Sequence, residues 1–276
     1  LKNWGRTTEF ASRISGLMVA DDSFKAMSWQ AVHFISDALV YIDKAPTLMK
    51  VRQYLEGGPE GLMERVFRVF FAERDPRWET MVAPFIREAK ENKKGGQKAV
   101  PNATPELLAY IQYYRQQIGD DQDDPVVSGL LSMVEHNREH LGKILACLMP
   151  LLVKLTAGEL GQLLSPNADN IDDLRTITDT RKIIEGGHVL YMGLDALSDF
   201  DVGQAIGSII LSDLTAVAGD IYNHSKGKPR RINLIVDEAE AVVNGPLIQI
   251  LNKARGAGFL CWLLSQTLPD FITRLG

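Results

Sequence analysis

The hydrophobic positions of this chain change their spacing near residues 175–187. Before that point apolar residues recur at the three- and four-residue intervals of amphipathic helices, and after it short apolar runs alternate with helical segments. The pattern predicts an all-α region followed by an α/β region. The boundary between the two regions therefore lies near residues 175–187.

Capping residues and helical spacing predict the helices of the all-α region. Asp22 or Ser23 can accept a hydrogen bond from the first helical turn, as N-cap side chains do, and a proline suits a first turn. The predicted helices run from Asp22 or Ser23 to Ile42, Thr47 to Leu55, Gly61 to Ala72, Pro76 to about Lys90, Thr104 to Ile118 and Pro125 to Met149.

Two short apolar runs near the end of the chain predict strands. Ile232–Val236 is rich in β-branched residues, and Phe259–Leu264 is continuously apolar, as expected of parallel strands that are buried on both faces. Between them, Pro246–Ala254 has apolar residues at helical spacing, and Gly256 and Gly258 end that helix. The predicted order is strand, helix, strand.

Polar residues follow both predicted strands. Asp237 and Glu238 come directly after the first, and Ser265 and Gln266 follow the second. A carboxylate at such a strand end can hold the Mg²⁺ that bridges nucleotide phosphates, and its neighbour can deprotonate the attacking water. The alternative is structural, since every strand must end and acidic residues suit the N-terminus of a following helix.

Four segments of the chain resemble the TraD/TraG-type coupling proteins of bacterial conjugation, which are hexameric DNA-translocating ATPases related to the FtsK and HerA pumps. The segments are Gly187–Leu194, Asn233–Glu238, Lys253–Gly258 and Leu264–Thr267. The resemblance implies an α/β fold: part of a RecA-like P-loop NTPase motor domain with a parallel sheet, carrying a large inserted all-α domain. Residues 1–20 would then be a residual part of the motor domain and a linker, residues 21–175 the all-α domain, and residues 176–276 the Walker B half of the motor domain.

The resemblance also implies the roles of individual residues. Asp237 would bind Mg²⁺, Glu238 would be the catalytic base, Arg255 would be an arginine finger that reaches a neighbouring subunit, and Gln266 would sense the γ-phosphate of ATP. The implied cofactors are ATP and Mg²⁺. The implied partners are DNA, the relaxase with its relaxosome, type IV secretion channel proteins and further copies of the chain in a hexamer at the cytoplasmic face of the bacterial inner membrane.

The chain departs from this family in one important respect. No Gly-x-x-x-x-Gly-Lys-[Ser/Thr] phosphate loop occurs in its 276 residues, and the glycine cluster at residues 57–61 lacks the lysine and the hydroxyl. We therefore expect a fragment without the Walker A segment, which hydrolyses ATP poorly by itself. Two other functions stay open: a secretion or pilus-assembly ATPase that moves protein, and a non-catalytic adaptor that binds the relaxase.

Composition and charge restrict the possible partners. The chain is 45% hydrophobic, which is enough for a substantial core, and its net charge of −5 argues against nucleic-acid binding over the whole surface. DNA contact would have to be local, at the basic segments 90–98 or 226–231, whose charges could also be ordinary solvated loop charges.

The number of cysteines and the length of the apolar runs indicate the cellular location of the chain. Cys147 and Cys261 have no partners at metal-ligand spacing, so neither a disulfide framework nor a cysteine zinc site is predicted. No uninterrupted apolar run approaches the roughly twenty residues that span a bilayer. The chain is therefore expected to be soluble and cytoplasmic, with membrane contact only through segments outside it.

Three further patterns each have a functional and a structural interpretation. His136 and His140 match the H-x-x-E-H pattern of inverted zinc peptidases, although helical periodicity puts both on a solvated face. The acidic run 120–124 could chelate a cation or precede a helix. The tyrosine cluster, defined as Tyr110, Tyr113 and Tyr114, could be a recognition surface beside Arg115 or could pack in the core.

Overall fold

The chain divides into two compact units, residues 1–165 and residues 166–276, and each is described by itself. The computed structural model describes residues 7–18, 21–91, 102–118, 123–136, 138–166, 178–194, 199–224, 227–267, 269 and 271–272.

The described part of the first unit is entirely helical apart from its connecting segments. It contains α1 (Thr7–Ser15), α2 (Asp22–Tyr41), α3 (Leu48–Gly57), α4 (Glu60–Arg74), α5 (Trp78–Glu91), α6 (Pro105–Tyr113), a π-helical turn (Tyr114–Ile118), α7 (Pro125–Val134), α8 (Arg138–Leu145), α9 (Met149–Leu155) and α10 (Gly158–Leu164).

Side-chain caps fix where several of these helices begin. Thr47 accepts a hydrogen bond from the Lys50 N–H at the start of α3, and Thr104 accepts one from the Leu107 N–H at the start of α6. Asp124 caps α7 through the Val126 N–H at 2.9 Å. Each cap satisfies a backbone donor that the helix leaves without a partner, which is why these sequence signals located the helix starts well.

Aromatic rings fill the core between α4 and α6. Phe67 and Phe71 are stacked with their ring centroids 5.3 Å apart, and Tyr113 meets the Phe71 ring edge-on at 5.1 Å. Tyr110, Tyr113 and Tyr114 are all buried. The tyrosine cluster therefore packs in the core and is not an exposed recognition surface.

The predicted long helix from Pro125 to Met149 is wrong. Helix α7 ends at Val134, α8 begins at Arg138, and α9 begins at Met149. The apolar residues on both sides of the break keep helical spacing, so periodicity could not reveal it. His136 lies in the break, and the spacing that would bring it one turn from His140 on a continuous helix is interrupted.

The second unit carries the strands. Its elements are α11 (Thr180–Gly186), α12 (Phe200–His224), β1 (Ile232–Val236), α13 (Ala239–Val242), α14 (Gly245–Lys253), a 3₁₀ turn (Ala254–Ala257) and β2 (Phe259–Leu263). The predicted strand, helix and strand are thus present. Strands β1 and β2 are parallel neighbours, with Ile232 opposite Phe259 and Val236 opposite Leu263.

One face of this strand pair packs on the helices of the second unit. Leu211 and Ala218 of α12, with Leu247 and Ile250 of α14, form a buried cluster against which the inward strand residues pack. The inward residues are Ile232, Leu234, Val236, Phe259, Cys261 and Leu263. Alternate residues point to the opposite face, where Ile235 and Trp262 are 67% and 56% exposed.

The predicted RecA-like α/β motor domain is wrong as a fold class. The structure is 72% helical, and the described residues form one parallel sheet of only two strands. The segment Val189–Leu194, which the resemblance of Gly187–Leu194 to a strand of the coupling-protein family implies to be a strand, is not one: Val189 and Tyr191 are 95% and 90% exposed. An apolar run can indicate a strand, but whether a partner strand lies beside it depends on long-range pairing that the run does not encode.

Helix α12 is the one described helix long and apolar enough, by length and composition, to cross a membrane. Polar residues such as Asp213 interrupt its apolar residues, so the sequence has no uninterrupted apolar run of this length although the helix itself is continuous. The core helix of a soluble protein can have the same length and apolar composition. In α12 the Asp213 carboxylate accepts a hydrogen bond from Thr180, and Leu211 and Ala218 pack in the core, so the test is weak support for a membrane span.

Candidate functional site

The carboxyl ends of β1 and β2 lie side by side. The Leu264 N–H donates to the Val236 carbonyl oxygen at 2.9 Å, and the Leu264 carbonyl oxygen accepts from the Ala239 N–H at 2.9 Å. These two bonds extend the parallel ladder beyond both strands. They hold Asp237 and Glu238 next to the segment that continues from Leu264 into Ser265 and Gln266. We call this place, Asp237–Glu238 with Ser265–Gln266, the strand-end site.

Glu238 is the irregular residue of the strand-end site. In a regular parallel ladder the Leu264 carbonyl would pair with the N–H of residue 238, but here it pairs with that of Ala239, so one extra residue is accommodated. Glu238 takes up the extra length in the left-handed conformation, with φ 48° and ψ 48°. For a residue other than glycine this conformation costs about 1–2 kcal/mol. Such strain is concentrated at functional sites.

The carboxylates of the strand-end site are accessible. Asp237 and Glu238 are both exposed, and Asp237 Oδ1 accepts a hydrogen bond from the Glu238 N–H at 3.0 Å. This bond fixes the Asp237 side chain against its own backbone while leaving its other oxygen open. The buried residues Ala239 and Val242 anchor α13 immediately afterwards, so the turn that carries both acids is held at each end.

The donor set fits Mg²⁺ with a phosphate ligand better than a metal ion enclosed by protein. Carboxylate oxygens are the hard ligands that Mg²⁺ prefers, and Glu240 Oε2 is buried without a hydrogen-bond partner in the described structure. A cation is one group that would compensate such an oxygen. No group of three or more His, Cys, Asp or Glu side chains in the described parts of the chain could hold a metal ion alone. Mg²⁺ commonly takes one or two carboxylates and completes its shell with phosphates and water.

Gln266 and Ser265 supply neutral polar groups at the same edge. Gln266 is exposed, and Ser265 Oγ donates to the Thr267 carbonyl oxygen at 3.2 Å, which turns the chain away from β2. Gln266 lies two residues beyond Leu264, which is hydrogen bonded to the end of β1.

Arg255 is not part of this edge. It is exposed in the 3₁₀ turn before β2, and five strand residues separate that turn from the strand-end site, a distance of about 17 Å at 3.3 Å per residue. Within one chain Arg255 cannot contact a group bound at Asp237. It could serve such a site only on another copy of the chain.

Several sequence candidates have structural roles or lie outside the described residues. Asp123 accepts a hydrogen bond from Tyr114, and Asp124 caps α7, so these two acids have partners in the protein, while residues 120–122 of the same acidic run lie outside the described part. Arg115 forms an ion pair with Glu135 at 2.6 Å.

The structure describes only the start of the first basic segment but most of the second. Of residues 90–98, only Lys90 and Glu91 lie inside the described part, and Lys90 forms an ion pair with Glu106 at 2.8 Å. Of residues 226–231, all but Lys226 are described, and Lys228, Arg230 and Arg231 are exposed.

The sequence analysis did not identify two further candidate functional residues, Glu240 and Tyr222. Glu240 could have been noticed as a third acid directly after the strand, whereas nothing in the sequence indicates that Tyr222, in the last turn of α12, packs beside the 3₁₀ turn.

Comparison with protein-family models, curated proteins and solved structures finds no match to this chain, so the resemblance to conjugative coupling proteins rests on the four motif segments alone.

Proposed function

We propose that Asp237, Glu238 and Gln266 form the metal-binding and water-activating part of an ATP-hydrolysing site, and that the full-length protein uses this activity to move DNA in conjugation. The observation that carries the proposal is a pair of hydrogen bonds: the Leu264 N–H donates to the Val236 carbonyl oxygen, and the Ala239 N–H donates to the Leu264 carbonyl oxygen. They place an acid pair and a neutral hydrogen-bonding side chain at one edge of parallel strands, which is where nucleotides bind in open α/β sheets.

Each side chain has a chemical role in this proposal. Asp237 holds Mg²⁺, which when bound neutralises charge on the β- and γ-phosphates of ATP. Glu238 accepts a proton from the attacking water, and its exposed carboxylate is free to do so. Gln266 orients water or phosphate oxygen through its amide without adding charge.

The phosphates need donors beyond the strand-end site. The sequence contains no phosphate loop, so the backbone N–H groups and the lysine that cradle phosphates come from another polypeptide segment. Arg255, on the opposite edge, acts on the site of a neighbouring copy, as the separation of about 17 Å within one chain requires. A ring of copies, with six as the number that the motif resemblance suggests, satisfies this requirement.

The remaining parts of the proposal follow from the same resemblance. The protein works at the cytoplasmic face of the bacterial inner membrane, where it links a relaxase–DNA complex to a type IV secretion channel. The helical first unit provides the surface that binds the relaxase, and the buried tyrosine cluster stabilises that unit from within.

A second candidate is a non-catalytic adaptor, favoured by the lack of a phosphate loop in the sequence. In an adaptor the helical unit binds the relaxase, and the second unit serves only as a scaffold. The strained conformation of Glu238 then has no chemical purpose, which is why we prefer the catalytic proposal.

ATP hydrolysis by the full-length protein tests the proposal. The rate is measured with Mg²⁺, with and without DNA, for the wild type, for Glu238→Gln and for the control Glu185→Gln, which changes an exposed acid of α11 in the same unit. Removal of the general base is expected to lower the rate by about 10²-fold or more, and the control is expected to leave it unchanged.

The outcomes separate the candidates. Activity that DNA stimulates and that Glu238→Gln abolishes supports a DNA motor. Activity that depends on Glu238 but is indifferent to DNA favours a protein-secretion ATPase. Activity equal in the wild type and in Glu238→Gln refutes the catalytic proposal and leaves the adaptor.

A further inference from the structure

Cations collect at the amino ends of the two strands, opposite the strand-end site. Lys228, Arg230 and Arg231 precede β1, and Lys253 and Arg255 precede β2; all five are exposed. We call this group of five residues the basic edge.

Gly258 brings the two halves of the basic edge together. The Gly258 N–H donates to the Arg255 carbonyl oxygen at 3.0 Å, and the Gly258 carbonyl oxygen accepts from the Ile232 N–H at 2.9 Å. The Arg230 carbonyl oxygen lies so close that a Cβ on Gly258 would overlap with it. The loop before β1 therefore lies against the turn before β2, and their cations share one surface.

Among the described residues, the cations of the basic edge have no acidic partners. None of the five forms a hydrogen bond or ion pair with another described side chain, whereas Arg52, Arg68 and Arg115 of the first unit are all ion paired. Two exposed acids of the helices in this unit already have a partner: Asp220 of α12 and Glu185 of α11 both pair with Arg181. The positive charge of the basic edge is therefore locally uncompensated, although the whole chain has a net charge of −5.

An aromatic ring borders these cations. Tyr222, in the last turn of α12, is 68% exposed, and its Cε2 and Cδ2 atoms contact Gly256, where an added Cβ would come within 2.6 Å of the ring. The ring is held by the backbone on one side and is open to solvent on the other. Cations that follow a backbone beside an aromatic ring that stacks on bases are the combination by which proteins bind single-stranded nucleic acids.

We propose that the basic edge binds the sugar–phosphate backbone of single-stranded nucleic acid, with Tyr222 stacking on a base. The proposal rests on the DNA partner of the proposed function and deepens it by naming the contact surface. It can be tested apart from ATP hydrolysis, because Arg230, Arg231 and Tyr222 have no part in the proposed ATP site.

Binding is measured by fluorescence anisotropy of a labelled oligothymidine of about 20 nucleotides, long enough to cover a typical site. The full-length wild type is compared with Arg230→Gln/Arg231→Gln and with the control Lys44→Gln/Lys50→Gln, whose lysines in the first unit also have no ion pair among the described residues. Both double variants remove two cations, so they change the net charge equally.

The expected loss follows from counterion release. Each phosphate contact with a single strand contributes about 0.7 to the slope of log K against log salt, so two lost contacts lower that slope by about 1.4 and weaken binding about 25-fold near 0.1 M salt. The control is expected to change affinity less than about twofold. Tyr222→Ala is expected to weaken binding at least about fivefold, and Tyr222→Phe is expected to retain it.

Two further variants keep the test decisive. Arg230→Lys/Arg231→Lys keeps the charge and is expected to retain most of the affinity, which excludes misfolding as the cause of the loss. Glu238→Gln is expected to bind the oligonucleotide normally, so failure of the proposed ATPase and failure of this inference give different results. Equal losses in the two glutamine double variants, tighter binding to duplex DNA, tighter binding to anionic lipid vesicles or no oligonucleotide binding at all would each overturn the proposal.

Discussion

Gly258 occupies a left-handed backbone position in which a side chain has no room. Its φ is 88°, and an added Cβ would come well inside 3.0 Å of the Arg230 carbonyl oxygen, a separation that real Cβ atoms essentially never show. The obstacle is backbone, so it cannot rotate away. Gly258→Ala must therefore displace the loop before β1 or the turn before β2.

Three contributions lower the free energy of unfolding in Gly258→Ala. The left-handed conformation costs alanine about 1–2 kcal/mol. Relief of the overlap costs about 1–3 kcal/mol, as other forced packing does. Displacement also weakens the hydrogen bond from the Ile232 N–H to Gly258, worth about 1 kcal/mol. We expect a total of about 3–5 kcal/mol, since these parts overlap.

Gly187→Ala is the matched control in the same unit. Gly187 is also left-handed, with φ 67°, but its Cβ would meet only the end of the flexible Arg230 side chain, which can move aside. Its expected cost is the conformational part alone, about 1–2 kcal/mol. The assay is urea unfolding of both variants, combined with hydrogen exchange of the β1 and β2 amides. Equal destabilisation by the two substitutions, or unchanged hydrogen exchange at Ile232 in Gly258→Ala, would show that the Arg230 carbonyl oxygen does not obstruct a side chain at residue 258.

Two other predictions follow from local conformation and charge. Glu238→Gly removes left-handed strain, so its free energy of unfolding should rise by about 1 kcal/mol while ATP hydrolysis is lost; a fall in stability in urea unfolding would contradict this. Burial, followed by its hydrogen bond to Asp123, raises the pKa of Tyr114 from 10.0 to about 12. The stability linked to this shift is complete below pH 10 and is lost as the pH rises towards 12, so Tyr114→Phe should flatten the pH dependence of unfolding in that range, and an unchanged slope would contradict the assignment.

The parts of the fold that depend on local sequence could be predicted. Asp124 and Thr104 mark helix starts because their side chains satisfy backbone donors three residues or fewer away. Strands β1 and β2 were predictable because their apolar runs are bounded by clear signals: glycines before β2 and polar residues after both strands. The strand-end site followed from this order, because carboxyl ends of adjacent parallel strands share an edge.

The parts that depend on distant contacts could not be predicted. Val189–Leu194 has the composition of a strand, but no local signal shows that it remains without a partner strand. The break between α7 and α8 leaves the hydrophobic period intact on both sides. The left-handed conformation of Glu238 was unpredictable for a different reason. In a sequence, glycine is the residue that indicates this conformation. At Glu238 the conformation is instead imposed by the hydrogen bond from the Ala239 N–H to the Leu264 carbonyl oxygen.

Metal binding at the strand-end site can be measured directly. Mn²⁺ replaces Mg²⁺ in the presence of ATP, and the broadening of backbone amide signals is measured by NMR in the full-length protein. If Asp237 binds the metal ion, broadening is strong at Asp237, Glu238 and Leu264, weaker at Gly258 at the opposite end of the strands, and lost in Asp237→Asn. Broadening centred away from the ends of β1 and β2, or broadening unchanged in Asp237→Asn, would contradict the assignment of this edge as the metal and nucleotide site.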